Sequence, residues 1–171
     1  YDIDYSEFYI QSNGLLNFAE EEITLTNYQI PLVDTYNNLI AWFWDDLDPG
    51  DNPDSDTYVK YENIDYNGNI ALLVSFINYH EYSGSGTGKL TAQVILENNG
   101  NITINYQSFE GDIIMTESTV GIENADGTDG LQYEYNQNLL EAEMSLKFYH
   151  PIPLDNDLMA INIGGPNAVT E

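Results

Sequence analysis

The stretch "KLTAQVILENNGNITINYQ" (residues 89–107) contains two alternating runs joined by a turn signal, and it decides the fold class. In "KLTAQVILE" (89–97) and "NITINYQ" (101–107), apolar and polar residues alternate with a period of two, which is typical of a β-strand and not of a helix. The segment "NNG" (98–100) between them is a strong hairpin signal, because asparagine and glycine accept the backbone angles of tight turns. The stretch therefore predicts an antiparallel hairpin.

The same organisation continues on both sides of this hairpin. "TYVKYENI" (57–64) alternates, "NIALLVSFINY" (69–79) is a continuous apolar run expected of a strand buried on both faces, and "YNGN" (66–69) predicts the turn between them. "NLLEAEMSLKF" (138–148) holds good helix formers, yet its apolar residues alternate, so a strand is expected there too. The fold class predicted is all-β: an antiparallel β-sandwich, jelly-roll-like, with about ten strands.

The chain is predicted to contain one domain followed by a short segment of different character. Residues 1–150 form the sandwich, since 171 residues suffice to bury a core. Residues 151–171, "PIPLDNDLMAINIGGPNAVTE", contain a short strand pattern followed by Gly-Gly-Pro and predict either a last edge strand or a linker to a following module. The abrupt start at "YDIDYSEFYI", with no signal peptide, indicates a fragment of a longer protein.

The charge is strongly one-sided and excludes several classes of partner. There are 29 acidic and 3 basic residues, giving a net charge of −26, and no arginine. Nucleic acid is excluded because nothing neutralises its phosphates, and no apolar run is long enough for membrane insertion. The absence of cysteine excludes disulfides and cysteine-based zinc sites. Salt or divalent cations must screen so many carboxylates, unless an acidic face serves only solubility.

The stretch "IAWFWDDLDPGDNPDSD" (40–56) joins an apolar strand to an acidic loop. Alternation predicts Trp42 and Trp44 on one face of the strand and Ala41 and Phe43 on the other, both faces being buried. The loop that follows offers hard oxygen donors around Gly50, without the spacing of an EF-hand. The candidate calcium ligands in it are Asp45, Asp46, Asp48, Asp51, Asp54 and Asp56.

A second acidic loop, "ENADGTDG" (123–130), adds Glu123, Asp126 and Asp129 as candidate ligands. If both loops lie at the same end of the sandwich, they could share one calcium ion. The alternative is that aspartate and asparagine occur here only because they are good turn residues.

No catalytic motif accompanies these acids, and the chain is not expected to be an enzyme. His80 and His150 lie in no nucleophile motif, so both are expected to be satisfied surface or rim histidines. "SGSGTGKL" (83–90) fails as a phosphate-binding loop, because leucine follows Lys89 and a strand pattern comes next. A glycosidase needs two carboxylates across a substrate, but with this many acids some pair always satisfies that spacing.

Five segments in order resemble a known family of domains. They are "SNGLLNF" (12–18), "IAWFWDDLDP" (40–49), "LTAQVILENNGNITINY" (90–106), "TVGIENADGTDGLQY" (119–133) and "AEMSLKF" (142–148). Together they resemble the nidogen-like (NIDO-type) extracellular domain of bacterial and archaeal secreted and surface proteins. The resemblance implies a non-catalytic β-sandwich in which Trp42, Trp44 and Asp46 match the family's "W-x-D" signature and pack a sheet and fix the following turn.

The resemblance also implies a role and a location. We expect an extracellular or cell-surface module of a larger prokaryotic protein, which mediates adhesion or interaction. The acidic loops add the expectation that calcium stabilises it. Its partners would be a protein or glycan on a cell surface or matrix and neighbouring modules of the same chain. The alternatives are a carbohydrate-binding module or glycoside hydrolase domain, and a purely structural spacer. A cleft with two facing carboxylates and exposed aromatics would favour the sugar enzyme, and a flat surface the adhesion or spacer function.

Overall fold

The computed structural model describes residues 3–19, 25–50, 56–82 and 87–151, and these form ten strands and no helix. Every pair of neighbouring strands is antiparallel, in the orders β1-β2-β3-β8-β9 and β10-β7-β6-β5-β4, which confirms the expected β-sandwich. The strands are β1 (Tyr9–Gln11), β2 (Leu15–Asn17), β3 (Leu39–Trp44), β4 (Tyr58–Tyr66), β5 (Asn69–His80), β6 (Lys89–Glu97), β7 (Ile102–Glu110), β8 (Thr119–Glu123), β9 (Gly130–Tyr135) and β10 (Ser145–Phe148).

Both predicted hairpins are present. Strands β4 and β5 close on the pair Tyr66–Asn69, with Asn67 and Gly68 at φ angles of 55° and 82°. Strands β6 and β7 are joined at residues 98–101, where Gly100 has a φ of 86°. The second sheet is thus a meander of four consecutive strands with β10 added beside β7.

The core lies between the two sheets and is rich in aromatic rings. The ring of Trp42, from β3, stacks on Phe76, from β5, with centroids 4.0 Å apart. The hydroxyl of Tyr106, from β7, donates to the carbonyl of Trp42 at 2.5 Å. Since these contacts join opposite sheets, β3 is the strand around which the sandwich packs.

A β-bulge in β3 overturns the expected alternation of its tryptophans. The strand is wholly buried, as expected, but its register with β8 shifts between Ala41 and Trp44. Trp42 therefore packs with Phe43 in the main core, while Trp44 packs with Leu39 and Ala41 in a second cluster. The prediction that Trp42 and Trp44 share one face was wrong, because a bulge inserts an extra residue and reverses the alternation beyond it.

Two other expectations need correction. In β5, Val74 and Phe76 are buried in the core, but Leu73 is only half-buried and Ile70 is exposed, so the strand is not buried on both faces along its length. The predicted strand at 138–148 is limited to β10. The residues before β10 instead form a turn, in which the N–H of Met144 donates to the carbonyl of Glu141 at 3.3 Å.

Candidate functional site

Several carboxylates that interact electrostatically lie where β3 and β5 end and β8 begins; we call this region the acidic end. Leu47 and Glu81 form an isolated antiparallel bridge between the chains leaving β3 and β5. Backbone N–H groups of Asp48 and Tyr82 donate across it to the carbonyls of His80 and Asp46, each at 2.9 Å. The two sheets are therefore tied together by backbone hydrogen bonds directly beside the acids.

Asp45 follows the buried end of β3 and is itself buried, with 8% of its surface exposed. Its Oδ1 accepts a hydrogen bond from the N–H of Asp46 at 2.8 Å. Its Oδ2 is buried and receives no hydrogen bond from any donor in the described residues. Burial, followed by repulsion from Glu81 and Glu117, outweighs the Asp46 N–H and raises the pKa of Asp45 to about 7.

Glu81 follows β5 and is 5% exposed. The N–H of Ile114 donates to both of its carboxylate oxygens, at 3.1 and 3.0 Å. A Cβ built on Gly88 would lie 3.0 Å from Glu81 Oε2 and 2.8 Å from the nitrogen of Ile113, so the absence of a side chain at Gly88 leaves room for the carboxylate.

The pKa of Glu81 is also raised, chiefly by burial and then by Glu117 and Asp112. The Ile114 N–H and a hydrogen bond with the Asp45 carboxyl oppose that shift. The Leu47–Glu81 bridge therefore brings the two carboxyl groups, one from each sheet, close enough for each to shift the pKa of the other.

The remaining predicted ligands of the first acidic loop take different positions. Asp46 is partly buried, and burial and then Asp48 raise its pKa. Asp48 Oδ1 accepts from the N–H of Gly50 at 3.0 Å, which is a turn contact. Asp56 Oδ2 accepts from the side-chain amide of Asn78 at 2.7 Å, at the start of β4. Asp51 and Asp54 lie outside the described residues.

The second acidic loop lies at the opposite end of the sandwich. In the pairing of β3 with β8, Leu39 lies opposite Glu123 and Trp44 lies opposite Thr119, so Asp45 and Glu123 are separated by the length of both strands. At about 3.4 Å per residue this is more than 15 Å. The idea that the two loops share one ion is therefore wrong.

In that second loop the carboxylates act within the turn. Asp126 Oδ1 accepts from the N–H and hydroxyl of Thr128 at 3.3 and 2.5 Å, and Asp129 Oδ1 accepts from the N–H of Gly130 at 2.9 Å. The Thr128 contacts lower the pKa of Asp126. Glu123 accepts from the N–H of Leu32 at 2.6 Å, and burial raises its pKa to about 7.

Side chains alone do not complete a metal centre in the part of the chain that the structure describes. There, no group of three or more histidine, cysteine, aspartate or glutamate side chains is arranged to hold an ion. An ion at the acidic end would need backbone carbonyls or water besides Asp45 and Glu81.

Glu81, Asp112 and Glu117 were not among the residues singled out from the sequence. For Glu81 a signal existed: it follows an apolar strand directly, as Asp45 does. Because the strands that precede Asp45 and Glu81 lie in opposite sheets and end at the same side of the sandwich, the two acids come close together. No comparable signal marks Asp112 or Glu117.

His80 differs from the expectation of a satisfied surface or rim histidine. It is 6% exposed, and its Nε2 has no hydrogen-bond partner in the described part of the chain. The N–H of His150, near the end of that part, donates to Asn101 Oδ1 at 3.0 Å. Strand β6 begins at Lys89, so no helix follows the glycine-rich segment.

A second surface feature is the side of the sandwich formed by the edge strand β4 and residues 6–11, which we call the open edge. Every residue of β4 is exposed or half-exposed. Tyr61 pairs with the core residue Val74, so its side chain is on the inner face of its sheet, yet it is 65% exposed. Its ring meets that of Phe8 edge-on, with centroids 6.2 Å apart.

An open depression of about 690 Å³ lies at this edge. Its walls are Ser6, Glu7, Phe8, Tyr9, Ile10, Gln11 and Tyr61. Another depression, of about 280 Å³, is lined by residues of β6, β7 and the turn before β10, including Glu143. Among the described residues, the lining of each contains one carboxylate, Glu7 in the first and Glu143 in the second.

Comparisons with known proteins identify a family. A family model described as NIDO related matches residues 1–159, a range that includes all ten strands. Comparison with curated proteins and with solved structures gave no match. No helix among the described residues is long and apolar enough to span a membrane.

Proposed function

This chain belongs to the NIDO-related family, which suggests an extracellular type of module, and we propose that it is a non-catalytic interaction module that binds a protein or glycan partner through the open edge. The parent would be a larger prokaryotic surface or secreted protein. Neighbouring modules of that protein would carry any further activity.

The observation that carries this proposal is the exposure of inner-face residues on β4. In a closed sandwich, the side chains that point between the sheets are covered by the opposite sheet. Here β1 has three residues and β4 has nine, so Tyr61 and Val59 point inward but are exposed. Exposed apolar groups in a concave position are typical of binding surfaces.

The arrangement of carboxylates supports a role without catalysis. A glycoside hydrolase places its two acids across an accessible substrate. Among the described residues, Asp45 and Glu81 are buried at the acidic end, and the carboxylate that lines the depression at the open edge is Glu7. The hydrolase alternative is therefore disfavoured.

The aromatic rings at the open edge support the carbohydrate-binding alternative. Phe8, Tyr9 and Tyr61 contribute rings to the open edge, and aromatic faces stack on the apolar faces of sugars. A protein partner would use the same rings as anchors, since tyrosine is enriched at interface centres.

A pair of tyrosine variants tests the proposal. We expect Tyr61→Ala to lower retention of the chain on immobilised matrix proteins or on a glycan array by at least about tenfold, which is the usual effect of removing an interface anchor. Tyr82 is equally exposed, at 65%, but follows β5 at the acidic end, so Tyr82→Ala should bind normally. Equal binding by wild type, Tyr61→Ala and Tyr82→Ala would contradict the proposal and favour a spacer. Turnover of an array glycan would contradict the non-catalytic assignment.

A further inference from the structure

The facing carboxyl groups of Asp45 and Glu81 lack a counter-charge among the described residues. The three lysines pair elsewhere: Lys60 with Glu62, Lys89 with Glu110, and Lys147 with Glu97, at 3.0, 3.9 and 2.6 Å. Two neighbouring buried carboxylates are costly if both are ionised, because burial removes the water that would screen their repulsion. A proton or a cation between them removes that cost.

One carboxylate oxygen of the pair has lone pairs available to coordinate such a cation. Asp45 is more than nine-tenths buried, its Oδ2 receives no hydrogen bond from the described residues, and the Leu47–Glu81 bridge brings Glu81 beside the chain that leaves Asp45. The other oxygens are held in place, Asp45 Oδ1 by the N–H of Asp46 and both Glu81 oxygens by the N–H of Ile114. The two ligating groups are therefore fixed before an ion arrives, so little ordering entropy is lost on binding.

Further negative charge surrounds the pair. Glu117 acts electrostatically on both acids, Asp46 on Asp45, and Asp112 on Glu81. With a net charge of −26 for the chain, the region attracts cations strongly at low ionic strength. A divalent ion offsets more of this repulsion than a single proton does.

We propose that Asp45 and Glu81 form a divalent-cation site, occupied by calcium, that joins the two sheets at the acidic end. The described side-chain ligands are carboxylate oxygens, which suit a hard cation. Two carboxylates with carbonyls or water completing the shell match the weaker calcium sites of extracellular modules, with dissociation constants of about 10⁻⁴–10⁻³ M. The site is independent of the open edge and stands whether or not Tyr61 binds a partner.

Thermal melting of the full chain tests the site. In about 10 mM calcium, compared with sodium chloride of equal ionic strength, the wild-type midpoint should rise by about 3–8 °C. Asp45→Asn and Glu81→Gln should remove that difference. In chelator, Asp45→Asn should melt above wild type, because its amide donates to Glu81 where two carboxyl groups met. Glu141→Gln, which removes one exposed charge outside the acidic end, should keep the full calcium effect.

Three results would overturn the proposal. One is an equal midpoint in calcium and in matched sodium chloride. Another is a calcium effect that survives in both Asp45→Asn and Glu81→Gln. The third is a loss of the effect in Glu141→Gln as well, which would show that total charge and not this pair is responsible. Calorimetric titration of wild type with calcium should give one saturable ion at these carboxylates, and its absence would refute the site even if a variant fails to fold.

Discussion

Gly14 is the residue on which the bulge of β3 depends. The N–H groups of Trp42 and Phe43 both donate to the carbonyl of Gly14, at 3.0 and 3.2 Å. Gly14 has a φ of 77°, and a Cβ built there would lie 1.7 Å from the carbonyl oxygen of Phe43. The bulge determines which tryptophan enters the main core and where Asp45 emerges, so this glycine positions the acidic end.

Replacing Gly14 by alanine should therefore destabilise the fold strongly. The Cβ would collide with the backbone of β3, and we expect a loss of more than about 3 kcal/mol in the free energy of unfolding. Gly68→Ala is the matched control, since Gly68 has a φ of 82° but no atom within 4 Å of its built Cβ. The free energy of unfolding of Gly68→Ala should fall by only about 1–2 kcal/mol, the cost of a left-handed backbone conformation at a residue with a side chain. Urea denaturation measures both, and equal losses would contradict the role given to Gly14.

Strand β10 is held to the sheet partly by an ion pair with β6. Lys147 Nζ lies 2.6 Å from Glu97 Oε1, and the glutamate side chain is only 2% exposed. The amides of Asn69 and Asn99 also donate to Glu97, each at 3.3 Å. The hydrogen bond from Lys147 is the chief cause that lowers the pKa of Glu97.

Lys147→Met should destabilise the protein because it leaves a buried carboxylate without its cation. The pKa of Glu97 should also rise, as carboxyl-carbon NMR during a pH titration would show. Lys60→Met provides the control: Lys60 and Glu62 are well exposed on β4, so its effect should stay within about 1 kcal/mol. An unchanged Glu97 titration in Lys147→Met would contradict this role for the pair.

At the level of strands, turn chemistry and strict alternation were sufficient to predict the two hairpins at 66–69 and 98–101. They were insufficient at 138–148, because the left-handed conformation of Glu143, with a φ of 63°, breaks an alternating pattern without any glycine or proline to mark it. Alternation likewise could not reveal the bulge in β3. Glu81 was missed because its importance depends on the pairing of two sheets, which is a long-range property.

In the part of the chain that the structure describes, acid-rich clusters lie at both ends of the central strands. Asp45 and Glu81 lie at one end and Glu123 with Asp34 at the other, and burial is the chief cause of the raised pKa of Asp45, Glu81 and Glu123. Without cations, the folded chain therefore retains protons that the unfolded chain releases above its ordinary carboxyl pKa of about 4.

This imbalance predicts that stability in chelator falls as pH rises. For a raised carboxyl pKa, the folded state binds more protons than the unfolded state between the two values, so the free energy of unfolding decreases with pH from about 4 to 7. The lowered pKa of Glu97 acts in the opposite direction, but only below about pH 4.5. The melting midpoint should be higher at pH 5 than at pH 8, with a smaller difference in Asp45→Asn. A midpoint that rises over this interval would contradict the assignment of these buried acids.

The calcium site at Asp45 and Glu81 is tested most directly by a crystal structure of the full chain grown with calcium at about 10 mM. A calcium ion held by this pair would give an anomalous density peak between Asp45 Oδ2 and the carboxylate of Glu81, with oxygen distances of about 2.3–2.6 Å. The site is contradicted if no peak is present and the two carboxyl oxygens instead lie about 2.5–2.7 Å apart, which is the separation of a shared proton.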